Sequence, residues 1–154
     1  MKRPNRQAIN AFNHTSNAPW KSDDLANEDF PVYIWYDFPQ PVFPANISFL
    51  PRQESTNPKT AFTRVPRTFD FVGSNAAVCN AGASWTDLCT VNKTKQVTSL
   101  SETSGCEIEA SQIGSAKFRC LGLRIYSDGL AGSGSGSSVG VALSYIRIWV
   151  RDLE

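Results

Sequence analysis

The sequence predicts an all-β protein that folds as a sandwich or a barrel. Apolar and polar residues alternate with a period of two in several short segments, and turns rich in Gly, Pro, Asn and Ser separate these segments. Helical apolar spacing is not sustained over a length typical of a helix. Regularly spaced strands without helices are typical of sandwiches and barrels, and 154 residues suffice for one domain with a hydrophobic core.

The first two strands are predicted at Val32–Phe38 and Ala45–Leu50. In the first strand the even-numbered residues share one face and the odd-numbered residues share the other. Pro39 and Pro41 predict the end of this strand, because proline has no N–H for a β-ladder. In the second strand the odd-numbered residues are apolar, so Asn46 is expected on the solvent face.

The later strands are predicted from the same alternation, with two polar loops between them. Residues 52–66 and residues 92–105 lack an apolar period and are predicted as loops. The strands are predicted at Thr68–Val72, Trp85–Cys89, Phe118–Tyr126 and Val141–Val150.

Charge and composition exclude several classes of function. The chain has 15 Lys+Arg and 14 Asp+Glu without a basic stripe, so no nucleic-acid partner is expected. No apolar run approaches the roughly 18 residues that a membrane helix needs. His14 is the only histidine and lies in a polar stretch near the N-terminus, so a His-dependent catalytic triad is not expected. The sequence therefore favours a protein that is not an enzyme.

The four cysteines, Cys79, Cys89, Cys106 and Cys120, are separated by nine, sixteen and thirteen residues. This spacing lacks the close pairs of a zinc site, so no metal is expected there. Three disulfide pairings are possible, and the sequential one would close two short loops, each stabilising by about 3 kcal/mol. The alternative is four buried free thiols in a cytosolic protein.

Three Asn-x-Ser/Thr triplets, at Asn13, Asn46 and Asn92, are candidate glycosylation sites. Together with the cysteines they favour a secreted protein or the ectodomain of a surface protein.

The N-terminal residues Met1–Arg6 are basic, and no apolar segment of a secretion signal follows them. We therefore expect that a leader has been removed or that the chain is a fragment. Residues 1–7 are predicted to be a disordered tail or a cloning remnant, and residues 8–154 a single domain.

The order of several segments resembles the signature of discoidin domains, also called coagulation factor five/eight C-type domains. The resemblance spans about residues 8–150. It rests on Trp20-Lys21-Ser22, Tyr33–Phe38, Pro41–Phe49, Phe69–Asn75 followed by Trp85, Cys120–Ile125 and Leu143–Trp149.

The resemblance implies an eight-stranded jelly-roll sandwich of the galactose-binding-like type and a non-catalytic recognition module. Family members often carry an Ala-x-Asp-Gly segment near a structural calcium site, whereas here Asn10 and Ala11 replace Asp and Gly. No cofactor is therefore expected, and a structural calcium ion stays as an open alternative that these replacements make doubtful. The cysteines resemble hairpin staples of a subgroup, not the clasp that joins the first and last strands in the family.

The resemblance also implies a ligand site in loops at one end of the sandwich, here residues 12–30 and 52–66. A sugar site needs planar polar groups for hydroxyls and an aromatic ring for the C–H face. The candidate ligand-binding residues are Trp20, Lys21, Asp23, Asp24, Arg52, Gln53, Glu54 and Arg64.

Other interpretations of these residues stay open. Trp35, Trp85 and Trp149 are expected to pack in the core or against a sheet, so Trp20 is the tryptophan expected to be available to a ligand. The acidic loop around Asp23 is either solvated or a cation site.

The expected partner is a glycan or a cell-surface glycoprotein. The alternative is an adhesion domain that binds an extracellular protein. Membrane-surface binding ranks last because the loops are polar. The sequence does not predict the oligomeric state.

Overall fold

The computed structural model describes residues 20–21, 30–53, 56–108, 115–130 and 140–151, and only the backbone of the first pair. Within this part of the chain there are seven strands and one helix. They are β1 (Trp20–Lys21), β2 (Val32–Pro51), α1 (Pro58–Phe62), β3 (Thr68–Ser74), β4 (Thr86–Asn92), β5 (Ser104–Glu107), β6 (Phe118–Ile125) and β7 (Ala142–Arg151). The predicted boundary between residues 7 and 8 lies outside the described residues.

The strands form two antiparallel sheets that share β2. The first sheet has the order β1, β7, β2, β5, and the second has the order β2, β6, β3, β4. The predicted all-β sandwich is confirmed.

Strand β2 corrects the prediction of two separate strands. It runs as one strand through Pro39 and Pro41, and its partner changes along its length. The two prolines fall in a gap of the β2–β6 pairing between Asp37 and Val42. Because proline cannot donate to a ladder, it is tolerated where the pairing is interrupted. The prolines therefore mark the change of sheet, not the end of the strand.

The hydrophobic core lies between the two sheets. Ile47 and Phe49 of β2 face Phe69 and Phe71 of β3, and all four side chains are buried. The rings of Phe49 and Phe69 meet edge to face, with centroids 5.2 Å apart. The predicted alternation in the second half of β2 is confirmed at Ile47 and Phe49, which are buried, whereas Ser48 between them is only partly buried.

Two of the predicted loops are more structured than expected. Residues 52–66 contain helix α1, and Ala61 and Val65 are buried. Residues 92–105 contain the start of β5, which has no apolar alternation to predict it. Gly105 allows β5 to approach β2 closely, because a Cβ there would lie 2.4 Å from the carbonyl oxygen of Ile47.

The disulfides overturn the expected sequential pairing. Cys79 pairs with Cys120, and Cys89 pairs with Cys106. Cys89 lies on β4 and Cys106 lies on β5, so this bond joins the edges of the two sheets. The sequential pairing assumed that each bond staples a hairpin. Instead β5 pairs with β2, which brings Cys106 to β4 and leaves Cys120 beside the loop after β3.

We expect peptide mapping without reductant to recover peptides that join Cys79 to Cys120 and Cys89 to Cys106. Replacing Cys89 and Cys106 together by Ser should lower the free energy of unfolding by about 3 kcal/mol, because the bond spans 17 residues of the unfolded chain. Urea unfolding of the oxidised proteins measures this difference. A peptide that joins Cys79 to Cys89 would contradict the fold described here.

Candidate functional site

The backbone brings several predicted ligand-binding positions together at the start of β7. Trp20 pairs with Leu143 and Lys21 pairs with Ala142. From β2, Pro51 also pairs with Leu143, so Arg52 follows directly at this edge. We call this group of segments, namely Trp20–Lys21, Pro51–Gln53 and Arg64 around Ala142–Leu143, the end site.

The segment after β2 is fixed to β7 by a backbone hydrogen bond. The amide of Ala142 donates to the carbonyl oxygen of Arg64, with a distance of 3.0 Å between the nitrogen and the oxygen. The two predicted loops therefore meet at one end of the sandwich.

Three of the predicted side chains are described. Arg52 and Arg64 are partly buried, and the Nε atom of each is buried. Gln53 donates from Nε2 to the carbonyl oxygens of Pro51 at 2.9 Å and Leu100 at 3.1 Å. These bonds fix the Gln53 side chain against the protein, so its amide nitrogen helps to shape the end site.

The other predicted side chains lie outside the described part of the molecule. They are Trp20, Lys21, Asp23, Asp24 and Glu54. A binding role for them stays a prediction.

A β-bulge lies next to the end site. Between the pairs Ser48–Arg147 and Leu50–Ser144, β7 has one residue more than β2. Tyr145 lies in this bulge with φ at 54°, in the left-handed region that costs a non-glycine residue about 1 kcal/mol or more. Bulges are frequent next to functional sites because they redirect side chains. The sequence did not predict this residue, because a tyrosine in a strand carries no signal for positive φ.

One group of possible metal ligands occurs among the described residues, formed by Asp37, Cys79 and Cys120. Both sulfur atoms belong to the same disulfide, so neither is a thiolate that could bind a metal. The segment that bears on calcium, with Asn10 and Ala11, lies outside the described residues.

A polar network lies on the outward face of the second sheet, around the buried Asp70. Arg124 donates from Nη2 to Oδ2 of Asp70 at 2.7 Å, and it also pairs with Asp87. Tyr126 donates its hydroxyl to the same Asp70 oxygen at 2.8 Å, and Thr90 donates to Oδ1 at 2.7 Å. The Asp70 carboxylate thus has partners for both oxygens, as a buried charge requires.

These contacts shift the pKa values of the network. Burial alone would raise the pKa of Asp70, but hydrogen bonds from Thr90, Tyr126 and Arg124 and the charge of Arg124 hold the pKa below the usual value for an aspartate. Burial and the hydrogen bond to Asp70 raise the pKa of Tyr126. Burial would lower the pKa of Arg124, yet its carboxylate partners raise it. The carboxylate and the guanidinium therefore both stay charged.

Three aromatic residues lie beside this network. The ring of Trp85 is 5.8 Å from that of Tyr33 and 6.0 Å from that of Trp35, and all three residues are partly buried. They pack against the outside of the sheet. The expected packing role does not hold for Trp149, which is 45% exposed on the first sheet. We call the set of Tyr33, Trp35, Asp70, Trp85, Asp87, Arg124 and Tyr126 the outer-face cluster.

The alternation in β2 contained a signal for this cluster. The period of two puts Tyr33 and Trp35 on the face of β2 opposite to that of Ile34, and Ile34 is in the core. The contribution of Trp85 has no such signal, because it depends on the course of the loop that precedes β4.

Comparison with solved structures identifies the fold. The chain is similar to chitosan-binding module 1 of a chitosanase/glucanase from Paenibacillus sp. IK-5, with a TM-score of 0.63 at 12% identity over 96% of this chain and 87% of that one. It is also similar to an F5/8 type C domain from Bacteroides fragilis, with a TM-score of 0.64 at 11% identity over 97% and 84% of the two chains. The fold is discoidin-like.

A third structure with this discoidin-like fold is the family 32 carbohydrate-binding module of EndoD from Streptococcus pneumoniae. Its TM-score is 0.61 at 10% identity over 98% of this chain and 90% of that one. At this identity the likeness concerns the fold. Neither a scan against protein-family models nor a search of curated sequences finds a match.

Two glycosylation candidates can be placed on the discoidin-like fold. Asn46 is partly buried on β2, between β5 and β7, and Asn92 is exposed at the end of β4. Asn13 lies outside the described residues. Glycosylation stays a prediction for all three. In the part of the chain that the structure describes, no helix is long and apolar enough to cross a membrane.

Replacing Asp70 by Asn should lower the free energy of unfolding by about 2 kcal/mol at neutral pH, because Arg124 loses its buried charged partner. Since the pKa of Asp70 is lowered in the folded protein, its contribution is complete at pH values well above the ordinary pKa of an aspartate and is lost as the pH falls through the lower folded value. Urea unfolding at a series of pH values should therefore show the two proteins converging in acid.

The matched control is Asp37→Asn, which removes an exposed carboxylate 3.3 Å from Arg119. A surface ion pair contributes little, so this variant should differ from the original by at most about 1 kcal/mol. If Asp70→Asn changed stability no more than Asp37→Asn, the network would not have the role described here.

Proposed function

We propose that this chain is a non-catalytic carbohydrate-binding module that works outside the cell and binds a glycan at the end site. The main support for the proposal is that β1, the end of β2 and the segment at Arg64 all contact the first residues of β7. Loops gathered at one end of a rigid sandwich are a common place for ligand binding, because the scaffold holds the loops in position.

The names of the structural neighbours support this ligand class. One neighbour is described as a chitosan-binding module and another as a family 32 carbohydrate-binding module. Fold alone does not establish function, so the proposal also depends on the chemistry of the end site.

Arginine is central to that chemistry. A guanidinium offers five N–H donors in a plane, which suits pairs of sugar hydroxyls or a sugar carboxylate. Arg52 and Arg64 both lie at the end site with their Nε atoms buried, so the two side chains have restricted geometry. Trp20 is proposed to supply the aromatic surface.

The non-catalytic and extracellular parts of the proposal have separate support. The chain contains one histidine, and the neighbours named above are binding modules. Two disulfides in a chain of this size are typical of oxidising compartments outside the cytosol. We also propose that binding requires no metal.

Replacing Arg52 by Ala should weaken glycan binding at least about tenfold, because a charge-assisted hydrogen bond contributes about 1.4 kcal/mol or more. A glycan array probed with the oxidised, multivalently displayed domain identifies the ligand, and calorimetry with that ligand compares the variants. Trp20→Ala should also weaken binding, and a chelator should leave it unchanged.

The matched control is Arg147→Ala, which removes an exposed arginine of β7 that is not part of the end site. It should bind the glycan like the original protein. A folded domain that binds no glycan on the array would contradict the proposal and favour the adhesion alternative, in which the same loops bind a protein.

A further inference from the structure

The outer-face cluster places three partly buried aromatic rings on the outward face of the second sheet, away from the end site. Trp85 precedes β4, yet its ring reaches Tyr33 and Trp35 on β2, and β6 and β3 lie between these two strands. The indole therefore lies across the outward face of the sheet. Its Nε1 donates to the carbonyl oxygen of Asn80 at 2.9 Å, which fixes its orientation.

Gly122 on β6 leaves room for this arrangement. It pairs with Trp35, and a Cβ at this position would lie 2.7 Å from the Cβ of Trp35. The carbonyl oxygen of Ile34 would lie only 2.1 Å from the same Cβ, so any larger residue would force β2 away from β6. Gly122 thus lets the two strands approach closely at Trp35.

Exposed polar groups adjoin these rings. Arg124 pairs in register with Tyr33 on one side and with Asp70 on the other, so the aromatic and charged groups are direct neighbours. The side chain of Asp87 is 58% exposed, and Tyr126 is 40% exposed. Asp70 and Arg124 are largely buried and hold both groups in place.

The charges within the outer-face cluster do not cancel. The carboxylates of Asp70 and Asp87 share the one guanidinium group of Arg124, which leaves one negative charge in excess. The uncompensated negative charge is closest to solvent at Asp87, next to the aromatic rings. Such a surface attracts a cation, and the faces of Trp and Tyr favour cations as well.

We propose that the outer-face cluster is a second binding site, separate from the end site, for oligosaccharides that carry protonated amino groups. The rings of Trp85 and Trp35 contact the C–H face of a pyranose. The Asp87 carboxylate accepts hydrogen bonds from the ammonium group, and the Tyr126 hydroxyl bonds to a neighbouring sugar hydroxyl.

The test compares an oligomer of glucosamine with its fully N-acetylated counterpart, which has the same rings without the positive charge. Calorimetry uses the Arg52→Ala protein, so that the end site contributes little. We expect the glucosamine oligomer to bind about tenfold more tightly than the acetylated one, because one charge-assisted hydrogen bond differs between them.

Two variants in this background locate the site. Asp87→Asn keeps the shape of the side chain and should remove the preference for the glucosamine oligomer. Trp85→Ala should weaken the binding of both oligomers about tenfold. Trp149→Ala, which removes an exposed indole from the first sheet, should bind like its parent. Circular dichroism checks that each variant is folded.

The proposal is overturned if the glucosamine oligomer does not bind, if it binds no better than the acetylated one, or if Asp87→Asn retains the preference. A failure of the end-site proposal alone would give a different result. Arg52→Ala would then leave glycan binding unchanged, whereas binding of the glucosamine oligomer would still depend on Asp87 and Trp85.

Discussion

Strand β2 belongs to both sheets, and the position of each candidate site depends on where it bends. Its first part, up to Asp37, is the edge of the second sheet, and from Phe43 onward it runs inside the first sheet. The strand passes from one sheet to the other where its pairing with β6 is interrupted. Prolines are tolerated there because no backbone N–H is needed for the ladder. As a result Trp35 faces outward on one sheet, whereas Arg52 follows the end of the other.

The buried carboxylate of Asp70 is the second constraint. A buried charge without partners would be too costly to keep, so Arg124 has to stay within hydrogen-bonding distance. The same guanidinium then holds Asp87 and approaches the ring of Tyr126, with the guanidinium carbon 5.6 Å from the ring centroid. One requirement of stability thus fixes the polar half of the outer-face cluster.

The sequence predicted what local alternation determines and missed what depends on distant partners. The faces of Ile34 and Phe49 followed from the period of two, because burial on one face dictates that pattern. Strand β5 has no such pattern, since it is short and Gly105 lies at its centre. The predicted disulfide pairing was wrong for the same reason. The pairing depends on the contact between β5 and β2, which are far apart in the sequence.

The two candidate sites face different surroundings because β2 changes sheet between them. A ligand that contacted both sites would have to reach from the outward face of the second sheet to the end of the first sheet. A long polymer or a dense array of glycans can occupy both, and the second contact is then made at a high effective concentration. If both proposed sites bind glycans, one rigid domain would therefore favour extended or clustered ligands over single short glycans, without requiring a second copy of the chain.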